Sequence, residues 1–323
     1  MRIIVDTDPG VDDAFALFYL AAEPDVEIVA VGSVHGNAPT PVTTANSLRL
    51  LELLGLEHVP VARGALRPLA QPLMTAEAVH GDDGLGGFAG PEPRTEPVDE
   101  SAAEQLVRLA RQNPGKLTLL ALGPLTNVAL ALQLEPELPK LLAKVVVMGG
   151  ALTVPGNITS YAEANFWHDP EAADLVLDAG FGDLTIIGLD VTMESHADTA
   201  WLTRLAEIDG PIAKYARDIV GFYANFYESF LGKPGFVPHD SLAVAIMIDP
   251  DLATYREERL AIELTGRHTR GQLVADLRYL APGSPFDRDI AKDRTPAKYA
   301  VTVDTATFLE RHLDRIKCCT PPA

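Results

Sequence analysis

The sequence alternates between short apolar runs and longer segments with helical spacing, and this alternation limits the fold more than any other feature. A β-branched run at residues 2–5 precedes VDDAFALFYLAA (11–22), whose apolar residues recur as on a helix packed on one face. EIVAVGSV (27–34) then precedes TTANSLRLLELLG (43–55), a predicted helix capped by Gly55. The alternation recurs in KLTLLALG with PLTNVALALQ, in KVVVMGG with HDPEAADLVLDAG, and in DLTIIGLD. Strands that are apolar throughout predict a parallel sheet covered on both faces.

Two segments interrupt this rhythm. Residues 80–98 (HGDDGLGGFAGPEPRTEPV) are rich in glycine and proline, which predicts a loop. Residues 198–249 are mainly helical in pattern, with a break at KPGFVPHD. We therefore expect an α/β fold with an open, mainly parallel, Rossmann-like sheet and a helical elaboration near residues 198–249. The length and the absence of a convincing linker favour a single domain over residues 1–323.

Composition narrows the class of partner. The chain has 26 Lys plus Arg against 45 Asp plus Glu, a net charge of −19, which argues against a nucleic-acid or anionic-membrane surface. No apolar run is long enough to span a bilayer, and the N-terminus lacks the layout of a signal peptide. The adjacent Cys318 and Cys319 are a poor pair for a structural disulfide. We expect a cytoplasmic protein that binds a small molecule.

The stretch VDTDPGVDD places four aspartates, Asp6, Asp8, Asp12 and Asp13, around a Pro-Gly turn. Such crowded carboxylates repel one another unless a cation or backbone donors offset the charge. In open parallel sheets the ligand crevice lies outside the carboxyl ends of the strands. The residues at those predicted ends are Asp6 and Asp8, His35 to Asn37, Leu122 to Pro124, Met148 to Gly150, and Asp190. The pattern predicts a site that contains Asp8, Asn37 and the backbone at Leu122.

Several interpretations of the acidic stretch compete. An EF-hand loop requires Gly at its sixth position and Glu at its twelfth, where this chain has Val11 and Leu17. A haloacid-dehalogenase-like phosphohydrolase also begins with Asp-x-Asp, but Gly10 stands where that motif has Thr or Val. Asp12 and Asp13 could simply complement the helix dipole, which would not explain all four aspartates. A divalent-cation site remains, and oxygen ligands favour Ca²⁺ or Mg²⁺.

Further motifs occur at informative spacing along nearly the whole chain. They are DTDPGVDDA (6–14), GN (36–37), VHG (79–81), GPLTNVA (123–129), VVVMGG (145–150), GNITSYAEANFWHDPEAA (156–173), HDSLAV (239–244) and VADLRY (274–279). In these motifs the chain closely resembles the inosine/uridine-preferring nucleoside hydrolases. The resemblance implies Ca²⁺-dependent hydrolysis of the N-glycosidic bond of ribonucleosides by a homodimer or homotetramer. The implied metal ligands are Asp8, Asp13, the main-chain carbonyl of Leu122, and Asp240.

The chemistry of this reaction suggests a role for each acidic and amide side chain. Loss of a base from C1′ leaves an oxocarbenium-like sugar, which nearby carboxylates stabilise. A metal lowers the pKa of its bound water, and Asp8 is the candidate base that takes the proton. Carboxylates that accept from the ribose hydroxyls would discriminate against 2′-deoxy substrates. The resemblance implies substrate contacts at Asp12 and Asn37 on the 2′ side, Asn165 at the 3′-hydroxyl, and Asn157 and Glu163 at the 5′-hydroxyl, and we expect Met148 and Phe166 elsewhere in the pocket.

Histidines and tyrosines are the candidates for the base end. His80 and His239 alone could be ordinary structural histidines. Their match to the VHG and HD motifs implies that His239 donates a proton to, or contacts, the leaving base and that His80 lies near it. Tyr223 and Tyr227 are four residues apart on one helix face, so they could close over the base or simply belong to the core.

Two questions stay open at this level. The glycine-rich loop at 80–98 could be a lid over the site or a disordered surface loop. A noncatalytic nucleoside-binding protein remains as an alternative function beside the phosphohydrolase, although every candidate ligand and the candidate base occur together. Retention of His80 and His239 favours a pyrimidine-accepting or nonspecific hydrolase.

Overall fold

The computed structural model describes residues 1–278, 280–281, 284 and 289–319, so Tyr279, the last residue of the VADLRY motif, lies outside the described part. The strands are β1 (Arg2–Thr7), β2 (Glu27–Ser33), β3 (Val61–Arg63), β4 (Val98–Ser101), β5 (Thr118–Ala121), β6 (Lys144–Met148), β7 (Leu184–Ile187), β8 (Ala253–Glu258), β9 (Ala261–Ile262), β10 (Leu273–Val274) and β11 (Ala297–Val303). The helices are α1 (Val11–Ala21), α2 (Thr40–Leu53), α3 (Glu77–His80), α4 (Ala102–Gln112), α5 (Thr126–Leu134), α6 (Leu138–Leu141), α7 (Ala164–His168), α8 (Pro170–Asp178), α9 (Leu189–Thr192), α10 (Thr199–Ala206), α11 (Pro211–Leu231), α12 (His239–Ile248) and α13 (Thr305–Cys318).

One large sheet organises these elements. In the described residues it has nine strands in the order β4-β3-β2-β1-β5-β6-β7-β11-β8. All neighbours are parallel except β8, which runs antiparallel to β11 at one edge. In the centre, Val5 of β1 pairs with Val31 on one side and with Leu120 on the other. The predicted α/β fold with an open, mainly parallel sheet is confirmed.

Alternate residues of the central strands enter two separate cores. Ile3 and Val5 pack into one apolar cluster together with Phe15 of α1, whereas Ile4 packs into another together with Leu106 of α4. Side chains of a strand alternate between the two faces of a sheet, so the two clusters lie on opposite faces. Helices cover both faces, as the apolar character of the strands predicted.

The local predictions are largely confirmed. Gly55 follows α2 with φ +71°, a left-handed conformation that suits glycine at a helix end, and its N–H donates to the carbonyl of Glu52 at 3.2 Å. The region near 198–249 contains α10, α11 and α12, with its break between Leu231 and His239. The predicted loop at 80–98 is slightly too long, because His80 ends α3 and Val98 begins β4.

The glycine-rich loop is ordered by one carboxylate. Asp83 accepts hydrogen bonds from the backbone N–H groups of Leu85, Gly87 and Ala89, each at 2.9 Å. Leu85 is fully buried in the core. These contacts contradict the view of a disordered surface loop, whereas a lid function stays a prediction.

The remaining expectations concern the whole chain. In the described part, no helix combines the length and apolar character that crossing a membrane requires. Cys318 and Cys319 are both free thiols. A single domain over residues 1–323 stays a prediction.

His312 of α13 is buried in an aromatic environment. Neither of its ring nitrogens has a hydrogen-bond partner, and the Phe308 ring stacks on it at 5.5 Å between centroids. The Trp201 and Phe15 rings lie at 5.2 and 5.5 Å. Burial lowers the pKa of His312 from 6.5 to about 3, because the charged imidazolium would lose its hydration.

We expect His312→Leu to reduce the acid sensitivity of folding. Below pH 6.5 the unfolded chain binds a proton at His312 that the folded chain does not bind until about pH 3. This difference costs the folded wild type about 1.4 kcal/mol for each pH unit in that window. The free energy of unfolding of the variant, relative to wild type, should therefore rise by this amount per unit as the pH falls. Urea denaturation at several pH values measures it, and a pH-independent difference would contradict a neutral His312.

Candidate active site

A pocket of about 620 Å³ lies where β1, β2, β5 and β6 end. Its lining includes most of the residues predicted from the sequence, namely Asp12, Asn37, His80, Leu122, Met148, Asn157, Glu163, Asn165, Tyr223, Tyr227, His239 and Asp240. Residues that the prediction missed are Ala76, Val79, Ile158, Ala164, Phe226 and Phe230. The structure thus joins the end of the first strand to helices α3, α7, α11 and α12 around one cavity.

The floor of the pocket is acidic and buried. Asp12, Asp13 and Asp240 each offer one carboxylate oxygen within 4.8 Å of the others, an arrangement that could hold a metal ion. Asp13 is fully buried, and Asp12 and Asp240 are at most 6% exposed. Asp12 and Asp13 follow the Pro9-Gly10 turn, and Asp240 is the second residue of α12. The fold therefore brings the two distant acidic segments together.

The electrostatics of this floor are unfavourable without a cation. Burial and the charge of Asp13 raise the pKa of Asp8 well above its usual range. The same two causes raise the pKa of Asp12 to about 8. Burial, together with the charges of Asp12, Asp13 and Asp8, also raises the pKa of Asp240 well above its usual range. Asp8 Oδ1 and Asp12 Oδ1 are buried without any hydrogen-bond partner. Unsatisfied carboxylate oxygens of this kind are costly unless a ligand completes them.

Asp8 is held between two glycines. Its Oδ2 accepts from the backbone N–H of Asn37 at 2.7 Å. A Cβ atom at Gly36 would lie 2.0 Å from Asp8 Oδ2, and one at Gly123 would lie 2.5 Å from Oδ1. Only glycine leaves room for the carboxylate at these two positions, which follow β2 and β5.

Among Asp6, Asp8, Asp12 and Asp13, the aspartates of the acidic stretch, Asp13 accepts the most hydrogen bonds. Its Oδ1 accepts from the hydroxyl of Thr7, and its Oδ2 accepts from Gly10 N and Asn37 Nδ2, both at 2.9 Å. Asn37 therefore contacts Asp8 through its backbone and Asp13 through its side chain. This one residue fixes the relative position of both carboxylates.

The expected ligand set differs from the observed grouping in one member. Asp12 lies with Asp13 and Asp240 in the compact group, where Asp8 was expected. The physical reason is that Asp8 is drawn towards the N–H of Asn37, and its free Oδ1 lies against Gly123. Its role as a metal ligand stays a prediction.

The amide and carboxylate side chains beside the floor are tied to the backbone. Asn165 Nδ2 donates to the carbonyl oxygens of Leu122 at 2.6 Å and Met148 at 3.1 Å. Glu163 caps α7 and accepts from the N–H groups of Gly150, Asn165 and Phe166. Asn157 Oδ1 accepts from the N–H of Ala164 at 2.9 Å. These bonds fix the rim where the loop after β6 meets α7.

At the other end of the pocket, His239 has partners on both ring nitrogens. Nε2 lies 2.6 Å from the Tyr227 hydroxyl, and Nδ1 lies 2.7 Å from the Thr192 hydroxyl. Burial lowers the pKa of His239 to about 3, so the ring is neutral at physiological pH.

His80 is held by the backbone of the acidic turn. Its Nδ1 accepts from the N–H of Val11 at 3.1 Å, which places the proton of the neutral ring on Nε2. The ring stacks on Tyr223 with centroids 5.0 Å apart. Burial, followed by the nearby His239 and His168, lowers the pKa of His80 to about 3.

Of the predicted residues, Asp6, Asp8, Asp13 and Phe166 do not line the pocket. Phe166 is fully buried in the core, and a Cβ at Gly149 would lie 2.4 Å from its ring. It packs against the Gly149-Gly150 turn, and its role as a substrate contact stays a prediction. Asp6 Oδ2 accepts from Asn127 Nδ2 at 2.9 Å, which connects the start of the acidic stretch to α5.

Some of the missed residues carried a signal in the sequence. Phe226 and Phe230 lie three residues after Tyr223 and Tyr227 on the same helix, so helical spacing could have placed them at the pocket. Thr192 carried no such signal, because its contact with His239 depends on the packing of α9 against α12.

The donor set is suited to a hard divalent cation. The buried oxygens come from carboxylates, with the carbonyl of Leu122 at the pocket wall, and no soft ligand occurs in the grouped residues. Ca²⁺ and Mg²⁺ prefer such oxygen ligands. A cation would also satisfy the orphaned oxygens of Asp8 and Asp12.

Comparisons with known proteins agree with this geometry. The sequence profile described as "Inosine-uridine preferring nucleoside hydrolase" matches residues 3–310. The chain is 36% identical to "Probable uridine nucleosidase 2" of Arabidopsis thaliana over 98% of this chain and 97% of that protein. It is 37% identical to "Pyrimidine-specific ribonucleoside hydrolase RihA" of Salmonella arizonae over 98% of both.

Solved structures with the same fold are also nucleoside hydrolases. A plant nucleoside hydrolase, the PpNRh1 enzyme, superposes with a TM-score of 0.93 at 32% identity over 98% of both chains. A purine-preferring ribonucleoside hydrolase from Gardnerella vaginalis has a TM-score of 0.89 at 30% identity over 99% of both. These relatives do not favour the haloacid-dehalogenase-like alternative.

We expect Ca²⁺ to raise the thermal stability of the wild type and Asp240→Asn to weaken this effect. The variant keeps the shape of the side chain but removes one buried negative charge, so its metal-free form should unfold at the same or a higher temperature. A ligand at about 100 times its Kd contributes about 2.7 kcal/mol to the folded state. Thermal unfolding with chelator and with Ca²⁺ measures both effects.

The control for this measurement is Asp304→Asn, which caps α13 outside the pocket. It should keep the full response to Ca²⁺. An undiminished response in Asp240→Asn would contradict a cation site at the acidic floor.

Proposed function

Because this chain belongs to the inosine-uridine preferring nucleoside hydrolase family and hydrolyses the N-glycosidic bond of ribonucleosides to ribose and free base, we propose that Ca²⁺ and Asp8 carry the reaction at its acidic floor. The observation that supports this most directly is the pair of buried, unpartnered oxygens, Asp8 Oδ1 and Asp12 Oδ1, beside the open pocket. We also propose that the protein forms a homodimer or a homotetramer and is located in the cytoplasm.

The proposed ligands of Ca²⁺ are Asp8, Asp13, Asp240 and the carbonyl of Leu122, with Asp12 close enough to the group to join it. When bound, the ion lowers the pKa of a coordinated water and offsets the repulsion among the aspartates. The number and irregular placement of these oxygens suit Ca²⁺ better than Mg²⁺, which demands a regular octahedron.

Asp8 is the proposed general base. Its Oδ2 is anchored by Asn37, whereas Oδ1 has no partner in the protein and can take a proton from the attacking water. As the nucleobase leaves, the carboxylates other than Asp8 would face the positive charge that develops on the sugar.

The ribose would be held by oxygen atoms that the protein leaves free. Asp12 Oδ1 can accept from the 2′-hydroxyl beside Asn37, and Asn165 can accept from the 3′-hydroxyl through Oδ1, because its Nδ2 is already used. Glu163 accepts from three backbone N–H groups, so a carboxylate with about four acceptor sites keeps one for the 5′-hydroxyl beside Asn157.

The leaving base would be stabilised through Tyr227. Both nitrogens of His239 are already hydrogen-bonded, one of them to the Tyr227 hydroxyl that lines the pocket. His239 therefore holds this hydroxyl in place as a contact to the leaving base, and its neutral ring keeps its single N–H. His80, stacked on Tyr223, offers its Nε2–H beside the base.

Pyrimidine ribonucleosides are the proposed substrates. This follows from the specificities that the names of the curated relatives state, a probable uridine nucleosidase and a pyrimidine-specific hydrolase that match 98% of the chain. The presence of His80 and His239 in the sequence favours a pyrimidine-accepting or nonspecific hydrolase, which is compatible with this preference.

We expect Asp8→Asn to lower kcat by roughly 10²–10⁴-fold, since loss of a positioned general base has effects of this size. The variant keeps the volume of the side chain, so circular dichroism should show an unchanged fold. Asp304→Asn, which caps α13, is the control and should keep full activity. Turnover by Asp8→Asn at the wild-type rate would assign the base elsewhere.

A nucleoside panel tests the whole proposal. We expect ribose release from uridine and cytidine to exceed that from inosine and adenosine by about tenfold or more in kcat/KM. Loss of the 2′-hydroxyl should cost roughly 10⁴-fold, because the buried acceptors would then be left unpaired. A chelator should abolish activity and Ca²⁺ should restore it. Full activity in chelator would contradict the metal, and binding of uridine without ribose release would favour a noncatalytic binding protein.

A further inference from the structure

Two chain segments that are distant in sequence meet beside the pocket. One is the turn at residues 9–11 inside the acidic stretch, and the other is the glycine-rich segment at residues 80–84. The N–H of Val11 donates to His80 Nδ1 at 3.1 Å, which is the first tie between them. This bond joins the acidic turn directly to the ring of His80, which also stacks on Tyr223.

Asn46 of α2 forms a second tie between the same segments. Its Nδ2 donates to the carbonyl oxygen of Pro9 at 3.2 Å and to that of Asp83 at 2.8 Å. The side chain is fully buried, and its amide nitrogen has one hydrogen for each carbonyl. Both acceptors are thereby satisfied by one residue.

Arg49 fixes the orientation of this amide. Its Nη1 donates to Asn46 Oδ1 at 3.1 Å, and a guanidinium has no acceptor, so the amide oxygen must face it. The amide nitrogen must then face the two carbonyls. Arg49 is itself held by the carbonyl of Pro91 at 2.7 Å and by Glu92 at 3.0 Å.

Gly84 shows how closely the two segments approach. A Cβ atom there would lie 2.9 Å from Asn46 Nδ2 and 3.2 Å from the carbonyl oxygen of Pro9. Its φ of +75° is a second reason for glycine at this position. The contact between the two segments is therefore built around the Asn46 amide. Any residue larger than glycine at position 84 would displace this amide.

Hydrogen bonds within the glycine-rich loop connect Asp83 to His80. Asp83 organises the loop through three backbone N–H groups, and the N–H of Gly86 donates back to the carbonyl of His80 at 2.8 Å. A shift of Asp83 relative to Pro9 would therefore move the loop and His80 together.

We propose that Asn46 is a positioning residue, which holds His80 in register with the acidic turn and so aligns the base end of the pocket with its metal and ribose end. Asn46 does not line the pocket and contacts no substrate. The inference rests on the proposed function, because it takes His80 as a contact to the nucleobase.

A double-mutant cycle between Asn46→Asp and His80→Ala tests this role. The introduced carboxylate would have no hydrogen to donate and would face two carbonyl oxygens. We expect kcat/KM for uridine to fall about 10- to 100-fold in the wild-type background, the cost of a misplacement of about 1 Å. In the His80→Ala background the same change should lower kcat/KM by about twofold or less. The effects of two substitutions are not additive when one residue acts through the other.

The matched control is Asn113→Asp. Asn113 also accepts from an arginine, Arg2, and donates to a backbone carbonyl, that of Leu109, but it lies outside the pocket. Its substitution should leave kcat/KM unchanged in both backgrounds.

The outcomes separate the two hypotheses. An equal loss from Asn46→Asp in both backgrounds would overturn the positioning role, whereas absence of ribose release by the wild type would overturn the proposed function instead.

If circular dichroism shows that Asn46→Asp does not fold, Arg49→Met replaces it in the cycle. This variant removes the donor that orients the amide, and it should give a smaller loss that disappears in the His80→Ala background. Persistence of that loss would again overturn the role.

Discussion

The mutual repulsion of buried carboxylates at the end of β1 is the constraint on which the rest of this structure depends. Burial raises the pKa values of Asp8, Asp12, Asp13 and Asp240 because it removes their hydration, and neighbouring negative charges add to the effect at Asp8, Asp12 and Asp240. The protein offsets part of this cost with donors to Asp13 from Thr7, Gly10 and Asn37. It leaves one oxygen each of Asp8 and Asp12 without a partner. A bound cation could complete those oxygens, and stability alone would favour neutral or paired groups in their place.

The parallel sheet explains how such a site can be assembled. Strand β1 is central, with β2 on one side and β5 on the other, so the segments that follow these strands are neighbours at one edge. Glycines at positions 36 and 123 let the two flanking segments close on the Asp8 carboxylate. Asp240 arrives from the start of α12, which packs against α1 on one face of the sheet. The proposed metal and ribose end is thus built mainly on strand ends, whereas the proposed base end is built on helices.

This division also decides what could be predicted from the sequence. The strand ends could be predicted because apolar runs identify the strands. Parallel strands place their carboxyl ends together, so Asp8, Asn37 and Leu122 could be predicted as neighbours. Asp240 was expected only from the family resemblance, because helix packing across the sheet leaves no local signal. The two tyrosines were expected from their helical spacing, which gives their shared face but not what it packs against. The burial of Phe166 outside the pocket lining could not be predicted, since an aromatic residue inside a recognised motif looks the same whether it faces the pocket or packs against a turn. Asn46 and Thr192 could not be found, because each acts on a residue that is close only in the folded chain.

The two histidines show why these tertiary contacts matter for the chemistry. Burial lowers the pKa of both His80 and His239 to about 3, so neither is a reservoir of positive charge at neutral pH. A neutral imidazole can assist a leaving base only through the one N–H it retains, and the hydrogen bond on its other nitrogen decides where that N–H lies. For His80 the backbone of the acidic turn makes this choice through Val11. The turn that positions the aspartates at the proposed ribose end therefore also selects the tautomer of His80 at the proposed base end, and one turn of the chain sets both ends of the pocket.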